Sequence, residues 1–366
     1  GRQTNMENPA IRNGELILDY RTYTDQKIAT NHTVELGGAG LTLVGSDSAP
    51  TLERVADLTL GSGTTGGSFV HVFAGSDQDA TFMFDGMNTP GSETLDMRTV
   101  DNGTGIARII GRNVANGFYG ILSPIATFNR ETWAQVDGDS NIVGMADGEY
   151  SGTFTANTHV DAPSGASTVT QTVQIASLRF NQNASATLDL DEGNLRLRDA
   201  GGTGGLLVTT NVGAHDVTIE GTGSLRFDSF NSAMDIHQHN TDGALIISAM
   251  VADSINNRLI KTGAGELRLT NDGNNFDDGP YIYGGTVTFT SISNVNTVSA
   301  FGKDEDDEGH RLQNGTMRYI GTGDNSDRKI VLRGPGTIDA SGSGKLLLNR
   351  SSSPVISRTM GAWHPL

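Results

Sequence analysis

The chain has 366 residues, 42 acidic against 25 basic side chains, a formal charge of −17 and no cysteine. Without cysteine there are no disulfides, thiolate metal sites or thiol nucleophiles, and the negative balance disfavours phosphate backbones and anionic lipid surfaces as partners. Glycine at 48 positions, proline at 9 and a hydrophobic share of 36% exclude collagen and disorder and leave a chain with a thin core.

In chain order, short runs of alternating apolar and polar residues predict strands. They are Glu15–Tyr20, His32–Leu36, Leu41–Val44, Leu58–Leu60 and Ala80–Phe84, then Ser177–Phe180, Ala186–Leu190, Asn194–Leu197, Leu206–Thr209, Val217–Ile219 and Ser224–Phe227. Glu266–Thr270, Gly285–Phe289, Thr316–Ile320, Lys329–Leu332 and Lys345–Leu348 follow. Between Thr270 and Gly285, Asn271 to Asn275 and Asp277-Asp278-Gly279-Pro280 read as turn chemistry. The stretch from about Met87 to Thr170 is less regular and reads as longer excursions around Phe118, Asn129 to Ala134 and Asp147 to Tyr150 rather than as a separate domain. No amphipathic helix of three turns interrupts the series, so the class is all-β.

Glycine pairs punctuate these runs at Gly37-Gly38, Gly201-Gly202, Gly221/Gly223, Gly263/Gly265, Gly321/Gly323, Gly334/Gly336 and Gly342/Gly344. A polar residue, Gly-x-Gly, then apolar-x-apolar recurs irregularly, and a strand so short buries its face only by stacking on the next one. Asn-Gly at Asn13, Asn102, Asn116 and Asn314 keeps hairpins of a sandwich or barrel open as an alternative. The preferred architecture is a single elongated right-handed parallel β-helix (β-solenoid) over residues 1–366. Windings of about 20 to 30 residues give about 12 to 18 of them and, at ~4.8 Å each, a rod roughly 60 to 85 Å long. No segment approaches the roughly 20 apolar residues that span a bilayer. Gly1 to Asn5 carry no signal peptide, so the expectation is that one was removed or that these residues were cut from a longer chain, and Met360 to Leu366 are not the strands of a membrane barrel.

One stretch is more specific. Leu259-x-Lys261-x-Gly263-x-Gly265-x-Leu267-x-Leu269, Asn274-Asn275-Phe276 and Ile282-Tyr283-Gly284-Gly285-Thr286-Val287 resemble the autotransporter-associated β-strand repeat of bacterial surface proteins. The chain departs from that pattern at Phe276 to Pro280, where the family usually has Tyr-Thr-Gly-Gly-Thr. The resemblance implies a β-helical, secreted or surface-displayed passenger module without intrinsic catalysis.

Asp189/Asp191, Asp137/Asp139 and Asp277/Asp278 are the carboxylate pairs for sugar chemistry or Ca²⁺, with Arg179, Arg196 or Arg226 as neighbours, against the commoner reading of polar strand faces and turns. His237 and His239, with Asp235, have zinc spacing on one strand face, against ordinary exposed histidines. No serine-hydrolase elbow, phosphate loop or zincin helix is present. The sequence therefore predicts no catalytic, cofactor-binding or metal residues and no cofactor. It predicts a non-catalytic scaffold for adhesion or self-assembly, whose functional surface is the polar outer face and the loops near Trp133 and Asp304 to Glu308. Expected partners are copies of itself or surface glycans and proteins, not nucleic acid or membrane. A β-helical polysaccharide lyase or glycosidase is the alternative, and a trimeric phage-type receptor-binding spike a weaker one.

Overall fold

The structure, a computed structural model, describes residues 6–358 apart from 62–65, 90–92, 199–203, 228–232, 254–256, 306–308 and 352–355. It forms two compact units, Gly1–Met145 and Ala146–Leu366, and the division falls within the stretch whose sequence pattern is least regular.

The first unit alternates between two sheets. Ala10–Arg12, Val34–Gly37, Thr51–Leu60, Ala80–Asn88 and Ala107–Gly111 make one, each strand parallel to the next. Glu15–Asp19, Gly40–Val44, Gly67–Phe73, Thr94–Val100 and Ala126–Phe128 make the parallel part of the other. Thr132–Val136 and Ile142–Gly144 continue that second sheet antiparallel. Inward positions carry Leu41, Leu43, Val70 and Val72 from one sheet and Leu36, Leu60, Phe82 and Phe84 from the other, in one apolar cluster. This is the period of two read from the sequence.

Thr51–Leu60 is longer than its predicted core, Leu58–Leu60, because Glu53 occupies an inward position and hides the alternation. Its carboxylate accepts hydrogen bonds from the backbone N–H of Lys27 (3.0 Å) and Ile28 (2.8 Å). Burial nevertheless pushes its pKa up to about 7, against those two bonds.

In the second unit three sheets are visited in rotation as far as Met250–Asp253: His159–Asp161, Gly165–Thr168, Val173–Ile175, then Ser177–Phe180, Ala186–Asp189, Asn194–Leu197, and so on; from Arg258 the chain alternates between the first two, and Asp324–Ser326 pairs with Leu346–Leu348 in a separate two-stranded sheet. Nine, eight and four strands result, all paired in parallel with the strand before and after them in the sheet. The chain returns to the nine-stranded sheet after as few as the 18 residues from His159 to Ser177 and as many as the 32 from Asp278 to His310. This order is compatible with a β-helix. Leu178, Leu206, Ile236 and Leu259 from the first sheet meet Leu188, Ile219, Leu245 and Leu267 from the second in a single core. Asn13 and Asn314 take φ of 54° and 55° and turn the chain between sheets, so these Asn-Gly pairs mark corners rather than hairpins.

The turn expected at Asp277 to Pro280 is instead part of a strand, Asp278–Ile282, paired with Arg258–Thr262. The register shifts there, Arg258 opposing Asp278 and Ile260 opposing Tyr281, so Pro280, which has no N–H, falls where the ladder skips a residue.

The 259–289 stretch shows why its residue types are needed. Gly265 lies so close to the Asn240 carbonyl oxygen that a Cβ would overlap it, and Gly243 and Gly285 hold the same corner in neighbouring strands against the carbonyls of His215 and Gly265. Gly285 also leaves room for the Lys261 ammonium, which donates to the carbonyls of Gly263 (2.5 Å) and Gly284 (2.9 Å). Asn274, fully buried, accepts from the Val251 N–H (2.7 Å) and donates to the Ala300 carbonyl (2.9 Å), tying three segments together inside the core. Asn275 accepts from Asp253 N–H (2.9 Å), and Phe276 fills the interior.

Two outcomes follow. Gly265→Ala forces its methyl onto backbone that no rotamer change relieves, so urea unfolding should register a loss toward the upper end of about 1–3 kcal/mol. Burial lowers the Lys261 pKa to about 7 from 10.5, with Glu266 opposing the shift. Between those values the unfolded chain holds the extra proton, so stability from this residue is least below pH 7 and rises toward pH 10.5. Lys261→Met should lack that rise: its stability relative to the parent, measured by urea unfolding at several pH values, should fall as pH increases, and a pH-independent difference would contradict the assignment.

Candidate functional site

The outward face of the second sheet in the first unit carries three aromatic side chains of one strand. Gly67–Phe73 alternates Val70 and Val72 inward with Phe69, His71 and Phe73 outward. The rings form a line: Phe69 and His71 lie 4.5 Å apart at 30°, His71 and Phe73 6.5 Å apart and edge-on. Phe69 lies across Gly40 on the neighbouring strand, where any Cβ would strike its ring. The missing side chain thus makes room for the ring, which on its own strand stacks against His71.

Parallel register sets what flanks the line. One row across the strands runs Glu15, Gly40, Phe69, Asp96, Thr127; a second runs Ile17, Thr42, His71, Arg98; a third runs Asp19, Val44, Phe73, Val100. Asp96 accepts from the Thr127 hydroxyl through Oδ1 (3.0 Å) and from Arg130 Nε through Oδ2 (3.0 Å), and His71 Nε2 stands 3.6 Å from the same Oδ2. Thr42 donates to Glu15 (2.5 Å). Beyond Phe73 the face opens into a groove of about 430 Å³ lined by Val44, Phe73, Ala74, Val100, Asp101 and Asn102. The arrangement sets half-buried aromatic rings beside fixed donors and acceptors; no nucleophile and base are brought into line here.

Trp133, expected on an exposed loop, is fully buried in the strand Thr132–Val136, opposite Thr127. A ring so large gains more from removal from water than a loop position permits. Asp304 of the acidic turn is also fully buried and accepts from Gly309 N–H (3.3 Å). The turn is anchored by Arg328, whose guanidinium donates to the carbonyls of Phe301 (3.1 Å), Gly302 (2.8 Å) and Thr297 (2.6 Å). Burial lowers the Arg328 pKa to about 10, against the attraction of Asp304 and Asp327. Glu305 pairs with Lys303 (2.6 Å), and 306–308 lie outside the described residues.

The other candidates are dispersed. Asp189 ends a strand of the eight-stranded sheet, in register with Glu220, while Asp191 sits in the turn beyond. Asp137 closes its own turn through the N–H groups of Asp139 and Asn141 and the Asn141 amide, which holds its carboxyl below the usual range. Asp277 faces Lys303 (3.8 Å), and Asp278 accepts from the Tyr281 hydroxyl (3.2 Å). Arg179 is buried between Asp147 (2.8 Å) and Asp161 (2.9 Å), stacked on Tyr150 at 3.8 Å. Arg196 and Arg226 are register partners on the four-stranded sheet. The carboxylate pairs and arginines of the enzyme alternative thus do not share one groove. His237 and His239 do share a face, rings 6.2 Å apart, but both are buried and His237 Nδ1 meets the Thr262 hydroxyl at 3.0 Å. Among the described residues no three His, Asp or Glu side chains are grouped to hold a metal ion.

The aromatic line went unread in the sequence, although Phe69-Val70-His71-Val72-Phe73 carries the signal: an apolar residue on both faces of a strand leaves one set outside.

No family model matches the chain and no solved structure matches it. Over 355 residues, 92% of its length, the chain is 26% identical to the adhesin BmaC autotransporter of Brucella suis biovar 1 (strain 1330). It spans only 10% of that protein's length.

Proposed function

We propose that the chain is a section of a bacterial surface protein of the autotransporter type, and that it serves adhesion without catalysis. The observation carrying this reading is the similarity to an autotransporter adhesin along nearly the whole chain. The parallel strand order of both units supports it, since a right-handed β-helix passenger produces that order, and the motif residues from Leu259 to Val287 support membership of the β-strand repeat class. Both units then belong to one passenger-like module at the cell surface or outside the cell. Dispersal of the carboxylate pairs over different sheets and turns favours this reading over a lyase or glycosidase. Self-association into fibres or a layer is the second part of the proposal, with copies of this chain as partner.

Latex beads coated with the 366-residue chain should attach to cultured epithelial cells well above beads coated with albumin, and soluble chain should compete. Attachment no better than albumin, with the coated chain still folded by circular dichroism, would remove the adhesive function. Sedimentation of the soluble chain across a concentration series reports the self-association part separately.

A further inference from the structure

We propose that His310 is an acid switch: uptake of a proton by its ring loosens the excursion 290–305 from the second unit and uncovers the apolar interior beneath it. The proposal goes beyond the adhesive reading and does not depend on it.

The excursion leaves Gly285–Phe289 on the way to His310–Leu312 and is fastened at two places next to the histidine. Arg328, fully buried, donates to the carbonyls of Asn294 (3.4 Å), Thr297 (2.6 Å), Phe301 (3.1 Å) and Gly302 (2.8 Å). Phe301 is the other fastening, its ring 4.0 Å from that of Phe289 and 4.5 Å from that of His310.

His310 itself is fully buried, two residues before the inward Leu312 and opposite Ile330 of the next strand. Neither ring nitrogen makes a hydrogen bond of ordinary geometry. A neutral imidazole tolerates such a place, whereas an imidazolium brings a charge and two N–H donors that need partners. Burial and the positive charge of Arg328 accordingly hold the His310 pKa well below its usual value, against the pull of the Gly279 backbone.

The charges on each packed element are already engaged. In the excursion, Asp304 accepts from the Gly309 N–H (3.3 Å) and attracts Arg328, while Lys303 and Glu305 pair with each other (2.6 Å). On the strand before, Asp278 accepts from the Tyr281 hydroxyl (3.2 Å), and Tyr281 lies under Arg311 in the separate cluster with Ile260 and Tyr283. On the segment after, Asp324 and Asp327 accept from the N–H groups of Ile292 (3.1 Å) and Val295 (2.8 Å), and Lys329 adds positive charge. A proton on His310 thus sets a second buried cation beside Arg328, with Asp304 to share.

Relief comes from the side with fewer backbone bonds. His310–Leu312 is paired on both edges, whereas the excursion contains no strand among its described residues and is the easier part to release. Its release uncovers Phe276, Phe289 and Phe301, all fully buried in the closed fold. The open ring takes its proton near the ordinary value of 6.5 and the closed ring only well below it. Between those values the open state holds the extra proton, so closure is fully stable above pH 6.5 and weakens as pH falls, approaching about tenfold per pH unit.

The test is amide hydrogen exchange over 291–305 in the whole chain at pH 7.5, 6.5 and 5.5, with rates corrected for their intrinsic pH dependence; carboxylates as a class stay ionised across that range. Protection at Asn296, Phe301, Gly302 and Lys303, whose N–H groups bond within or beneath the excursion, should fall about tenfold from pH 7.5 to 5.5. In His310→Phe, which keeps a ring against Phe301 and takes no proton, the same amides should stay within about twofold. Circular dichroism accompanies the variant; should it fail to fold, His310→Gln carries the comparison. Protection that does not change in the parent, an equal fall in the folded variant, or an equal fall throughout the second unit overturns the proposal.

Discussion

Parallel pairing between each strand and the next member of its sheet is the constraint on which the rest of both units depends. A strand of three to five residues cannot bury enough surface to offset the entropy of ordering it, so its backbone donors and its inward side chains must be met by the following strand of the same sheet. That pairing places Leu178, Leu206 and Ile236 in one inward row of the sheet, and Met234 opposite Leu259 in the next. It also brings corners of successive strands into contact. There a side chain has no room, and Gly243, Gly265 and Gly285 are the outcome.

The same constraint creates polar groups inside. Where the chain turns from sheet to sheet, carbonyls point into space that water does not fill, and an unpaired buried carbonyl costs about 1–3 kcal/mol. Lys261 and Arg328 meet this need with long side chains whose charge is costly to bury and which are accordingly shifted down in pKa. Asn274 does it with one neutral amide serving two neighbours. These are local solutions to corner geometry.

Much of this was legible in the sequence. Ala186–Asp189, Asn194–Leu197 and Glu266–Leu269 lie where alternation placed them, because inward apolar positions in a one-sided strand leave an unambiguous period of two. Thr51–Asp57 was missed because Glu53 is an inward carboxylate, and Asp278–Ile282 because Pro280 and Gly279 are turn residues wherever no bulge accommodates them. Trp133 was misplaced since the antiparallel strands that bury it have no counterpart in the repeating pattern. The outward aromatic face was hidden for a different reason. Its flanks, Glu15, Thr42, Asp96 and Arg130, come from four distant segments, and only the strand register reveals that they are neighbours.

Those distant origins bear on how the face would be seen by another molecule. Residues contributed from position 15 to position 130 meet on one surface only while the sheet holds them in line. A short synthetic peptide copied from any single strand would display one column of the pattern and none of its rows. Antibodies raised on such peptides would miss the native surface, and an immune response that recognises it must read a discontinuous epitope.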